Sequence, residues 1–130
     1  MSVSSVSIVV VSHSPLVAQG AADIVHGMVG EQIAVAHCGG NGEGDLGTNV
    51  EQISEAIRSV YTPRGVVVLV DLGAAETNSE LAIEQLPEPM RDHVVLADAP
   101  IVEGAIMAAI EAASGASLDE VRASAEAYRS

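Results

Sequence analysis

His13 and Asp71 are the two residues of this chain best suited to do chemistry together. His13 directly follows the β-branched run Ser7-Ile8-Val9-Val10-Val11-Ser12, and Asp71 follows the valine-rich run 65–70. A carboxylate bonded to one ring nitrogen of a histidine fixes its tautomer and leaves the other nitrogen's lone pair free to attack. The same carboxylate stabilises the cation that develops when that nitrogen takes up a phosphoryl group. Taken singly, each residue has an ordinary alternative: an exposed turn histidine, and an aspartate capping a loop. Their common position, each at the end of a strand, favours a shared site.

The elements that must hold them follow from alternating strand and helix patterns. After a strand over 6–12, Ser14 caps a helix with Pro15 in its first position. Ala18, Ala21, Ala22, Val25, Met28 and Val29 recur at helical spacing, and Gly30 ends the run. A second strand is expected over 32–37, followed by a glycine-rich loop over 39–47. Thr48 and Glu51 form a capping-box pattern that opens a helix with Val50, Ile53, Ile57 and Val60 on one face. The run 65–70 reads as a third strand. A loop over 72–76 leads to a helix from 77 or 78 to 86, then to a short fourth strand over 94–97. A small-residue helix is expected over 100–113, stopped by Gly115, and Ser117 with Glu120 caps a last helix that reaches the C-terminus.

This order, β-α-β-α-β-α-β-α-α, predicts an α/β fold. The expectation is a three-layer sandwich with a mostly parallel central sheet, helices on both faces and right-handed crossovers. The expected strand order is 2-1-3-4. Its switch point falls between strands 1 and 3, which brings His13 and Asp71 to one crevice at the carboxyl ends of the strands. No repeat or linker divides the chain, so residues 1–130 are expected to form one domain.

The surrounding loops supply candidate anion contacts. Gly39-Gly40-Asn41-Gly42, Gly47-Thr48 and Gly73-Ala74-Ala75 let backbone N–H groups approach an anion, although βα turns also contain glycines for purely structural reasons. Ser14, Gly47, Thr48, Gly73 and Ala74 are the candidates for phosphoryl binding or partner contact. Gly42-Glu43-Gly44-Asp45-Leu46-Gly47 matches the dinucleotide pattern G-x-G-x-x-G, but after the second strand rather than the first. Glu43 and Asp45 would oppose a pyrophosphate, and no Arg or Lys in the loop offsets them. A non-catalytic nucleotide-binding module built on this segment stands as an alternative from a different class.

Other chemistries find less support. His26, His37, Cys38 and His93 show no metal-ligand spacing, so neither a metal site nor a bound cofactor is expected. Glu103, near a helix start, complements the helix dipole. There is no G-x-S-x-G elbow, and a chain without lysine has no Walker P-loop.

Composition narrows the partners. The 130 residues carry a formal charge of −13, and all five basic residues are Arg. Such a surface repels nucleic acid and anionic membranes, and it suits a basic protein partner. Hydrophobic residues make up 48% of the chain without Phe or Trp, so the core must be built from Val, Ile, Leu and Ala. One cysteine permits no internal disulfide. Met1 to Ser5 lack a basic leader region and no apolar stretch approaches membrane-spanning length, so a cytoplasmic protein is expected.

Val9-Val10-Val11-Ser12-His13-Ser14, Gly47-Thr48, Val70-Asp71-Leu72-Gly73-Ala74 and Ala99-Pro100-Ile101-Val102-Glu103-Gly104 occur in order along the chain, with Ala113-Ser114-Gly115-Ala116 near its end. Together these segments resemble the DhaM family, the phosphocarrier subunits of phosphotransferase-dependent dihydroxyacetone kinases, within the broader mannose-type enzyme IIA family. The resemblance implies that His13 accepts a phosphoryl group on Nε2 from phospho-HPr, with Asp71 orienting the ring through Nδ1. It further implies transfer to ADP held on the subunit DhaL, phosphorylation of dihydroxyacetone bound to DhaK, and a homodimeric carrier. Some family members carry fused HPr-like and enzyme I-like domains; this chain ends after the first domain and is expected to draw on separate donors. The neighbouring alternative is the enzyme IIA component of a mannose-type sugar transporter.

Overall fold

The computed structural model describes residues 5–41, 46–71 and 73–127. Four parallel strands, β1 (Ser7–Ser12), β2 (Val35–Gly39), β3 (Val66–Val70) and β4 (Val94–Ala97), form one sheet in the order β2-β1-β3-β4. This is the expected order. Val11 lies opposite Val70, so the residues that follow them, Ser12 and Asp71, leave the sheet side by side.

Side-chain alternation splits the central strands between two cores. Ile8, Val10, Val67 and Leu69 pack beneath α1 (Pro15–Val29), α4 (Ile101–Ala113) and α5 (Leu118–Glu126). Val9, Val11, Val66 and Val68 pack beneath α2 (Val50–Val60) and α3 (Gly73–Glu84). The chain steps from β1 outward to β2 through α1, then returns past β1 to β3 through α2. Reversing direction while keeping crossovers right-handed forces α2 onto the opposite face from α1. That reversal opens the crevice between β1 and β3.

Without large aromatic residues, the helices approach the sheet on alanine. Ala18 and Ala21 of α1 and Ala105, Ala108 and Ala112 of α4 are all buried in one cluster. The turn before α5 is pinned by Arg64, whose guanidinium donates to the carbonyls of Gly115 at 2.9 Å and Ala116 at 3.0 Å. Ser117 and Glu120 form the capping box expected for α5, which ends at Glu126.

Several boundaries differ from expectation. β2 spans Val35–Gly39 rather than 32–37, because Gly30–Gln32 continues α1 as a short 3-10 turn. Met28, expected on the packed face of α1, is exposed along with Leu16, Val17 and Ile24. The capping box expected at Thr48 and Glu51 does not form. Asn49, a better capping residue one position later, accepts the Gln52 N–H at 3.0 Å and starts α2. Most consequentially, 73–76 is not a loop: α3 begins at Gly73, so Asp71 is followed almost at once by a helix start. Ala74, Ala75 and Glu76 favour helix enough to carry it to that point.

Two substitutions test this frame. Ile57 is fully buried on α2, and Ile57→Ala is expected to cost about 2–5 kcal/mol. At Gly39, an added Cβ would lie 2.7 Å from the Ser12 carbonyl oxygen and 2.9 Å from Pro15 N, both rigid backbone atoms. Gly39→Ala is therefore expected to cost about 1–3 kcal/mol by overpacking. Urea unfolding with an unchanged m-value would register both as lower midpoints.

Candidate functional site

The site is assembled where β1 and β3 end. β1 ends at Ser12, His13 forms the turn, and Ser14 caps α1 by accepting the Val17 N–H at 3.4 Å, with Pro15 in the first helical position. Asp71 leaves β3 beside Ser12. Although 58 residues apart in sequence, His13 and Asp71 are in direct contact: Nδ1 of the ring lies 3.0 Å from Asp71 Oδ1.

The carboxylate holds more than the ring. Its Oδ2 accepts the Ser12 hydroxyl at 2.6 Å and the His13 backbone N–H at 3.1 Å. Burial pushes the Asp71 carboxyl up, but the hydrogen bonds from Ser12 and from the ring and backbone of His13, with the charge of His13, outweigh it. The net effect holds the group below the ordinary carboxylate value, so it is ionised at neutral pH. A carboxylate only accepts, so Nδ1 must carry the proton. In the neutral ring that leaves the Nε2 lone pair bare, and Nε2 has no hydrogen-bond partner among the described residues. The two side chains are 23% and 20% exposed, open to a visiting group yet held by the turn.

The His13 carbonyl is fixed as well. It accepts the N–H groups of Gly40 at 3.2 Å and Gly47 at 3.0 Å. Gly40 and Gly47 both have positive φ, 80° and 131°, which glycine adopts at low cost. Gly47 is thus at the site, but its amide is spent on His13 rather than offered to an anion. The Ser14 amide is likewise engaged, donating to Ser12 Oγ at 3.0 Å. Thr48 does not cap α2; its hydroxyl accepts from Asn78 Nδ2 at 2.5 Å. Gly73 and Ala74 form the first turn of α3, whose leading N–H groups have no partner within the helix.

Beside Asp71, an open cleft of about 330 Å³ lies along the ends of β3 and β4, lined among others by Glu76, Glu80, Asp98 and Arg122. Among the described residues, no group of three or more His, Cys, Asp or Glu is placed to hold a metal ion. His37 is exposed on the edge strand β2, and His93 is bound to the Pro89 carbonyl at 3.0 Å. Burial pushes the Cys38 thiol up to about 11, so it carries almost no thiolate at neutral pH. Within the dinucleotide-like segment, Gly42, Glu43, Gly44 and Asp45 lie outside the described residues. No helix among the described residues is long and apolar enough to cross a membrane.

Sequence reasoning missed three participants. Ser12 had a signal, a hydroxyl in the last position of an otherwise aliphatic strand. Gly40 was noticed only as a possible anion contact. Asn78 had none, since its bond to Thr48 joins the interior of α3 to the residue just ahead of the α2 cap.

Residues 7–122 match the family described as PTS system fructose IIA component, EIIA-man. The chain is 35% identical to the phosphoryl donor subunit DhaM of PEP-dependent dihydroxyacetone kinase 2 from Listeria innocua, over 82% of this chain and 85% of that protein. It is also 35% identical to the DhaM phosphoryl donor subunit of Escherichia coli, over 89% of this chain but only 25% of that longer protein. The crystal structure of the unknown-function protein EF1359 superposes with a TM-score of 0.83 at 34% identity, covering 94% of this chain and 93% of that one. A sigma-54 interaction domain protein from Enterococcus faecalis shares the fold, with a TM-score of 0.70 at 16% identity, covering 95% and 90%. The chain belongs to the EIIA-man family and, within it, to the DhaM phosphoryl donor subunits.

Proposed function

We propose that the chain is a phosphohistidine carrier that feeds a dihydroxyacetone kinase. The observation that carries the proposal is the His13–Asp71 contact, with Nδ1 on the carboxylate and Nε2 bare. In the first step the Nε2 lone pair attacks the phosphorus of phospho-HPr. A new N–P bond forms as the donor's N–P bond breaks, and the donor histidine leaves as a neutral imidazole. Asp71 stabilises the positive ring that results. The first turn of α3, at Gly73 and Ala74, supplies amides for the phosphoryl oxygens, and Thr48 and Ser14 form the rim that a partner meets.

In the second step the β-phosphate of ADP held on DhaL attacks the phosphorus and regenerates His13; the ATP formed phosphorylates dihydroxyacetone on DhaK. The chain's likeness to phosphoryl donor subunits of PEP-dependent dihydroxyacetone kinases supports this assignment. The activity belongs to the whole complex, to which this chain contributes a phosphotransferase subunit. The same reading makes the carrier a cytoplasmic homodimer. A second reading, a sugar-specific enzyme IIA, is favoured by the fructose component description of the family. Presenting the labelled protein with DhaL–ADP and, separately, with a sugar-specific IIB subunit distinguishes them: ATP formation in the first supports the kinase, label on IIB alone overturns it.

His13→Ala is expected to abolish labelling by phospho-HPr while the thermal unfolding profile stays cooperative; acid-labile label on another residue would overturn the assignment. Asp71→Asn removes a charge-assisted hydrogen bond worth about 1.5–3 kcal/mol, so phosphoryl uptake should slow about 10- to 150-fold in a rapid-quench assay. Asp71 also links stability to pH. Its native pKa is depressed, so its stabilising contribution is complete above the ordinary carboxylate value and is lost as pH falls through the lower native one. Denaturation curves collected below about pH 4 should therefore fall less steeply with pH in Asp71→Asn than in the wild type.

A further inference from the structure

We propose that Ser12 is a positioning residue for phosphoryl transfer: its hydroxyl holds the Asp71 carboxylate in the orientation that grips both the backbone and the ring of His13. The inference rests on the function proposed above, and its test is built to fail separately from it.

The hydrogen-bond directions are fixed by chemistry. The Ser14 N–H donates to Ser12 Oγ at 3.0 Å, which leaves the Ser12 proton to point elsewhere. It points to Asp71 Oδ2 at 2.6 Å, which as a carboxylate oxygen only accepts. Oδ2 receives the His13 N–H as its second donor at 3.1 Å, and Oδ1 is left for Nδ1 at 3.0 Å. The result is a directed chain from the start of α1 through Ser12 and Asp71 to the imidazole.

Packing alone does not call for a hydroxyl here. Ser12 is fully buried, and its neighbours along β1 are Val and Ile. A buried hydroxyl is costly unless it is bonded. The other buried serine of β1, Ser7, spends its proton on the Val60 carbonyl at 2.6 Å, tying the strand to the end of α2 at the far end from the site. Ser12 spends its proton on an ionised side chain, and that side chain is the one that sets the His13 tautomer.

Asp71 needs such a donor because of what surrounds it. Glu76 and Glu80 from α3, Asp98 after β4 and Arg122 from α5 line the cleft that Asp71 borders, and Arg122 is paired with Glu126 at 3.3 Å. Burial at the edge of this cleft favours the neutral carboxyl, which would release the ring from its fixed tautomer. Ser12 and His13 oppose it by direct hydrogen bonds to the ionised form.

The test uses the whole chain and three substitutions: Ser12→Ala, Ser12→Thr and Ser12→Cys. NMR reads the Asp71 carboxyl titration and the ratio of Nδ1–H to Nε2–H tautomer on His13. Rapid-quench labelling by phospho-HPr reads transfer. In Ser12→Ala, Asp71 should titrate at higher pH, the Nδ1–H fraction should fall, and uptake should slow about tenfold, the effect of one hydrogen bond to a charged group. Ser12→Thr, which keeps the hydroxyl, should restore all three. Ser12→Cys, a weak donor of similar size, should behave as Ser12→Ala and carries the test if the alanine variant does not fold. An unchanged titration and tautomer ratio in folded Ser12→Ala or Ser12→Cys would overturn the proposal. Wild-type protein that takes no label from phospho-HPr would overturn the proposed function, while the two NMR readings would still decide the role of Ser12.

Discussion

One carboxylate closes the site. Asp71 is the common acceptor for a buried hydroxyl, a backbone amide and an imidazole, and those three donors come from two consecutive residues, Ser12 and His13, with the Ser14 amide donating in turn to the Ser12 hydroxyl oxygen. Charge-assisted hydrogen bonds are stronger and more geometrically demanding than neutral ones, so the carboxylate fixes the turn while the turn fixes the carboxylate. Neither half would be ordered as well alone. The parallel register of β1 and β3 is what makes the meeting possible, since a slip by one residue would turn Ser12 or Asp71 to the other face of the sheet.

The rest of the fold serves that register. Valine runs buried on both faces give β1 and β3 no freedom to slide, and alanine-rich helices clamp the sheet closely. Close packing extends to the site itself. Gly39 lets the end of β2 lie against the turn from Ser12 to Pro15, and Gly40 and Gly47 bind the His13 carbonyl from the neighbouring loop. His13 is therefore anchored at its carbonyl, its amide and one ring nitrogen, and Nε2 is its polar atom without a hydrogen-bond partner among the described residues.

Much of this is legible in the sequence alone. The strand order and the meeting of His13 with Asp71 followed from alternating periods and from the handedness of crossovers, rules that depend on pattern rather than detail. Ser14 with Pro15 and Ser117 with Glu120 marked helix starts correctly because their signals are local. The start of α2 was displaced because Thr48 and Asn49 compete for one cap. The start of α3 was hidden because Asn78 resembles a cap when only the sequence is read, whereas in the fold it reaches Thr48. The roles of Gly47 and Ser12 depended on which hydrogen-bond partner each one found, and that is a tertiary fact.

The cleft beside Asp71 has a consequence for energetics. Its walls carry Glu76, Glu80 and Asp98 with Arg122 as the one cation among the lining residues, on a chain whose formal charge is −13. On the function proposed above, a dianion carried by His13 would sit on a chain of its own sign of charge, which raises its free energy. Such an environment would make a poor storage depot and a strong donor, because departure of the group relieves like-charge repulsion. A carrier gains little from holding its cargo tightly, and the acidity of this surface works in favour of release.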